Sequence, residues 1–85
     1  MSVTYKKAPR KRLQNMQPKK AKAIMDAINK FAAAPNAKHN NVAALNNVSG
    51  GFRLRIGDWR ASFTLDADAG DVDVFEISPR GGAYR

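Results

Sequence analysis

Residues 50–63, GGFRLRIGDWRASF, leave the chain little choice of local structure. Phe52, Leu54 and Ile56 alternate with Arg53 and Arg55. After Gly57-Asp58 the alternation resumes, with Trp59, Ala61 and Phe63 set against Arg60 and Ser62. A period of two residues is that of a strand with one buried face. Gly followed by Asp between two such runs suits a two-residue hairpin loop of type II′. Closing the loop there predicts the register: Ile56 opposite Trp59, Arg55 opposite Arg60, Leu54 opposite Ala61 and Arg53 opposite Ser62. Phe52, Leu54, Ile56, Trp59, Ala61, Phe63 and Leu65 then share one face, and Arg53, Arg55 and Arg60 share the other.

The rest of the chain supplies something to cover the apolar face. "SVTYK", residues 2–6, is short and β-branched and reads as a first strand. A short helix follows from Pro9 to about Met16. Pro18 suits the first position of a second helix. In that helix Ala21, Ile24, Ala27, Ile28, Phe31 and Ala32 recur at helical spacing, with Lys19, Lys22, Asp26, Asn29 and Lys30 largely opposite. Pro35-Asn36 ends it. The Asn- and Gly-rich stretch from Asn36 to Gly51 reads as loop, with Val42 and Leu45 docking inward. Strands follow near 51–57, 59–66 and 72–78, and Gly70 is the residue suited to positive φ in the second turn. "SPRGGAYR", at the end, is too rich in Gly and Pro to continue a sheet centrally. The order is β-α-α-β-β-β. It describes one α+β domain over residues 1–85, an antiparallel sheet packed against an N-terminal helical pair.

Charge narrows the function classes. The chain of 85 residues carries a net charge of +8, with a sequence pI near 10.3. Residues 1–40 hold eight lysines, Arg10 and Arg12 against Asp26 alone, and the remaining residues are close to neutral. Such a field favours nucleic acid or an acidic protein as partner. There is no cysteine for a disulfide or thiolate site. No apolar run is long enough to span a membrane, and the N-terminus lacks the apolar stretch of a secretion signal, so the expected location is the cytoplasm.

Like charges directly opposite on a sheet are destabilising by up to about 1 kcal/mol. Here Arg55 and Arg60 are paired, and the hairpin places no acid among the arginines. Guanidinium forks suit phosphate, so Arg53, Arg55 and Arg60 read as an anion-binding face. The competing reading pairs them with Asp71, Asp73 or Glu76 on a neighbouring strand. His39, the sole histidine, lies in a loop beside Asn40 and Asn41 and reads as solvated. Asp66, Asp68, Asp71 and Asp73 crowd a hairpin and read as a polar turn rather than a cation site. No metal-ligand cluster and no cofactor motif is present. The tail reads in two ways: as a frayed terminus with a chance aromatic, or with Arg80 ending the last strand and Tyr84 folding back beside the arginines to stack on a base.

Two segments together, "FRLRIGDWRASF" and "VDVFEISPRGGAY", resemble the RelE/ParE toxin superfamily, and its RelE-like branch most closely. "VTYKKAPRKRL" and "LNN…GGF" extend the likeness over nearly the whole chain. The resemblance implies the RelE-like microbial RNase-type toxin fold and a cognate antitoxin that wraps the toxin in a hetero-oligomer. It also implies a ribosome-dependent endoribonuclease that cuts mRNA and inhibits translation. By position the site would comprise Arg60, Arg80 and Tyr84 as catalytic residues, with Arg53 and Arg55 binding substrate phosphate. The mRNA's own 2′-OH would attack the adjacent phosphorus without a metal. The sequence departs from the family pattern where Pro79 stands in place of a frequent His or Lys, and where Gly81-Gly82-Ala83 replaces a charged segment. Two alternatives follow: a ParE-like gyrase inhibitor, and a catalytically weak basic binding module neutralised by an antitoxin. The general base stays unassigned, since arginine remains protonated.

Overall fold

A computed structural model describes residues 2–79. The elements are β1 (Val3–Tyr5), α1 (Lys7–Gln14), α2 (Pro18–Ala33), β2 (Val42–Ala44), β3 (Gly51–Ile56), β4 (Trp59–Asp66) and β5 (Asp71–Pro79). The strands form one sheet in the order β1-β5-β4-β3-β2. All pairings are antiparallel except that of β1 with β5, which is parallel. That parallel pair is joined through both helices and the meander, as a crossover connection requires.

The helices cover one face of this sheet. Pro18 opens α2 at its first turn, and Ala21, Ile24, Ile28, Phe31 and Ala32 are buried along one stripe. Leu13 of α1 joins them. Helix α1 starts at Lys7, two residues earlier than the sequence suggests. Pro9 still falls within the first turn, where its missing N–H breaks no intrahelical bond. From the sheet come Leu54, Ala61, Phe63, Val72, Val74 and Ile77, all at most 3% exposed. Phe31 joins the layers: its ring centroid lies 5.4 Å from that of Phe52 and 5.1 Å from that of Phe63, in tilted geometry.

The hairpin between β3 and β4 has the register expected from its sequence, with Ile56 opposite Trp59 and Arg55 opposite Arg60. Gly57 carries φ 56° and, among the described residues, no non-glycine residue has positive φ, which fits type II′ and excludes type I′. Gly70 supplies φ 73° in the second turn. There Asp66 Oδ1 accepts the backbone N–H groups of Asp68 and Ala69, so this acidic hairpin uses its first carboxylate to close the turn.

Two differences from the sequence reading have local causes. The segment read as loop contains strand β2, which pairs Val42 with Leu54 and Ala44 with Phe52. Three residues are too few to display a period, and the edge of β3 provides their hydrogen-bond partners. Strand β5 also runs one residue further than expected, through Pro79 opposite Trp59. Proline is tolerated at the end of a strand, where the missing donor interrupts no onward ladder.

Candidate nucleic-acid interface

The sheet face away from the helices is polar, and register orders it into rows. One row runs Arg55, Arg60, Ser78 across β3, β4 and β5. The next runs Ala43, Arg53, Ser62, Glu76 from β2 to β5. A third holds Thr64, Asp73 and Thr4, the last on β1. Cations therefore gather on β3 and β4, and carboxylates on β5. Directly paired residues share a face, so Arg53, Arg55 and Arg60 stand together as expected.

The hairpin itself places no acid among the arginines, but the face it shares with β5 is not free of carboxylates. Asp73 and Glu76 lie on it. The competing expectation, that these acids neutralise the arginines, is not met for Arg53 and Arg55. Asp73 binds Lys6 at 2.8 Å and accepts from the Thr4 hydroxyl at 3.2 Å. Asp71 accepts from the backbone N–H and hydroxyl of Ser2, both at 3.0 Å. Among the described residues the ion pairs are Lys6–Asp73 and Lys22–Asp26, so Arg53 and Arg55 face outward without a carboxylate partner. Arg60 is half-buried, with its Nε out of reach of solvent.

Glu76 reaches this face through a break in the strand. Val72 and Val74 face the core, and strict alternation would send residue 76 there too. A register shift intervenes: Phe63 pairs with Val74 but Ser62 pairs with Glu76, leaving Phe75 as an extra residue on β5. That β-bulge turns Glu76 outward and drops Ile77 onto the core opposite Ala61. Sequence reasoning named Glu76 only as a possible partner of the arginines and did not foresee the bulge that turns it outward. The available signal was the slip in apolar spacing, from 72 and 74 to 77 rather than 76.

Beside the arginines the edge strand leaves a hollow of about 420 Å³, lined by Asn41, Ala43, Arg53 and Arg55 among others. Ala43 is too small to fill the space next to Arg53. Asn41 is fixed there: its backbone carbonyl accepts from Arg55 N–H at 2.9 Å, and its side-chain amide donates to the Arg55 carbonyl at 3.3 Å. His39 takes a structural place instead. Its Nε2 donates to the Ala34 carbonyl at 2.7 Å, and its ring packs 5.1 Å from that of Phe31. Arg80 and Tyr84 lie outside the described residues.

No protein-family model and no curated protein sequence matches the chain; its likeness to other proteins is structural. The isolated Escherichia coli RelE toxin superposes with a TM-score of 0.75 at 10% identity, over 96% of this chain and 88% of that one. This chain has the RelE/ParE toxin fold. A chain of the RelE–RelB complex from the archaeon Pyrococcus horikoshii OT3 matches with a TM-score of 0.79 at 19% identity, covering 95% of this chain and 96% of its own. The YoeB/ParE toxin from Agrobacterium tumefaciens matches with a TM-score of 0.76 at 14% identity, over 94% and 99% of the two chains. Each of these matches covers at least 94% of this chain. No helix among the described residues is long and apolar enough to cross a membrane.

Proposed function

We propose that this protein is the toxin of a toxin–antitoxin pair and acts as a ribosome-dependent mRNA endoribonuclease. The observation that carries the proposal is the outward face on which Arg53, Arg55 and Arg60 converge, with no carboxylate among the described residues paired to Arg53 or Arg55. Arg55 stands directly opposite Arg60, and like charges so placed repel one another. A phosphodiester relieves that repulsion and accepts two hydrogen bonds from each guanidinium fork. The hollow beside Arg53 and Arg55 has the size of a small ligand site and could take an adjoining nucleotide. Toxins and toxin–antitoxin complexes are the proteins whose structures this chain resembles.

In this reading the RNA 2′-OH attacks its own phosphorus and the 5′-oxygen leaves. The arginines position the backbone and balance charge on the pentacoordinate phosphorus. Arg80 stabilises the leaving oxygen and Tyr84 stacks on a base. The ribosome presents the message in the extended form that a shallow face cannot impose, and an antitoxin covers the basic surface when the toxin is held silent.

Cleavage on reconstituted ribosomes with a defined A-site codon tests this. The wild type should cut the message, and Arg60→Ala should cut about 10²–10³-fold more slowly, the usual loss for removing one donor to a charged transition state. Equal cleavage by Arg60→Ala would refute the arginine-face mechanism. An intact message combined with blocked gyrase supercoiling would establish the ParE-like alternative.

A further inference from the structure

The ribonuclease reading leaves the first proton unaccounted for. The nucleophile is a neutral hydroxyl, and every arginine on the face is already protonated. A group that accepts a proton must lie beside the phosphate without being consumed by an ion pair.

Glu76 meets both conditions. It shares a row with Ser62 and Arg53 on the outer face, and Arg60 is its diagonal neighbour across β4 and β5. Adjacent strands are about 5 Å apart, and diagonal partners about 7–8 Å. A phosphodiester held between Arg53 and Arg60 would lie one strand from Glu76. Ser62, the β4 residue between Arg53 and Glu76, is short but only 6% exposed, so it is covered by the longer side chains around it and the phosphate would rest above them.

Of the cations near Glu76, Arg60 is the diagonal neighbour that would hold the phosphate, and the others are engaged elsewhere. On β1's side, Lys6 binds Asp73 at 2.8 Å. On α1, Arg12 shares a surface hollow with Glu76, but its guanidinium sits 5.9 Å from the Trp59 ring centroid. Among the described residues the Glu76 carboxylate forms no ion pair. Glu76 reaches this position only through the bulge at Phe75. Bulges often re-aim a side chain beside an active site.

We infer that Glu76 is the general base of the cleavage reaction, an inference that rests on the ribonuclease reading. Its carboxylate takes the proton of the 2′-OH as the O2′–P bond forms. The P–O5′ bond breaks, and the leaving 5′-oxygen takes a proton from water. The products are a 2′,3′-cyclic phosphate and a 5′-hydroxyl, with no redox change and no co-reactant.

Single-turnover cleavage by the full chain on programmed ribosomes tests the role. Glu76→Gln keeps size and polarity but cannot accept the proton. Its maximal rate should fall about 10²–10⁴-fold, the range for a positioned base. The toxin concentration giving half-maximal rate should stay the same or fall, because the variant loses a negative charge on a face that meets a polyanion. Glu76→Asp should retain part of the rate. For Glu76→Ala, added formate and acetate should restore cleavage, acetate more effectively because it is the stronger base; the exposed site admits both. Wild-type rates in Glu76→Gln, with the wild type active, would overturn the role of Glu76 and leave the ribonuclease reading standing. An alanine variant indifferent to both carboxylates would also overturn it. A wild type that leaves the message intact would overturn both.

Discussion

Gly57 and Tyr5 show how much single residues contribute to this fold. At Gly57, φ is 56° and nothing lies within 4 Å of where a Cβ would stand. The cost of a side chain is therefore backbone strain alone. Gly57→Ala should lower unfolding free energy by about 1–2 kcal/mol in urea denaturation, and Gly57→Asn by less. Tyr5 packs its ring against the core, yet its hydroxyl is buried without a hydrogen-bond partner among the described residues. Burial pushes its pKa above the usual tyrosine value. The protonated form is the one favoured by folding, so its stability contribution is complete below about pH 10 and is lost as pH rises through the folded pKa. Tyr5→Phe removes an unsatisfied group and should hold or raise stability at neutral pH, by up to about 1 kcal/mol. A stability profile to high pH should show a smaller alkaline decline in the phenylalanine variant.

Elements differ in what they contribute. Helix α2 is held by its buried stripe, not by its exposed charges. Ile28 is 0% exposed, and Ile28→Ala should cost about 2–5 kcal/mol through lost burial and a residual cavity. The Lys22–Asp26 pair on the same helix is largely exposed, and Lys22→Ala should change stability by no more than about 0.5 kcal/mol. The β3–β4 hairpin separates folding from function. Arg55→Ser removes one of two facing cations, so it should stabilise the free protein by up to about 1 kcal/mol while weakening RNA binding. Thermal melts and RNA titrations on the same variant would show the two effects with opposite signs. Much of this element was legible in sequence, because its faces and its turn follow from local alternation and one glycine. The outward turn of Glu76 was not, because a bulge depends on which residues the neighbouring strand presents. Strand β2 was hidden because the edge of β3 supplies its pairing.

Across the whole molecule, positive charge is divided between two layers. Lys7, Arg10, Lys11 and Arg12 on α1, with Lys19, Lys20, Lys22 and Lys30 on α2, form the helical layer. The three arginines occupy the opposite face of the sheet. Helical charges act at long range and are screened over about 8 Å at physiological salt, whereas the arginines act by direct contact. RNA binding should therefore weaken steeply with added salt. Replacing Arg53 and Arg55 together with alanine should reduce the slope of log affinity against log salt by about 1.4, or ~0.7 for each contact to a single strand. Replacing two helical lysines should lower the association rate more than that slope. Filter binding across a salt series, with stopped-flow association, separates the two layers.

Sequence alone determined the central hairpin, its register, the apolar stripe of α2 and the sharing of one face by Arg53, Arg55 and Arg60. Each follows from a repeat of two or 3.6 residues, and such repeats are properties of the backbone written locally. Only the tertiary structure decided that β1 lies parallel to β5, that β2 adds an edge strand, and that Glu76 joins the arginines. Those outcomes depend on hydrogen bonds between segments remote in sequence. At β5 they depend on the core accepting Ile77, which requires the chain to bulge at Phe75 and present the carboxylate outward.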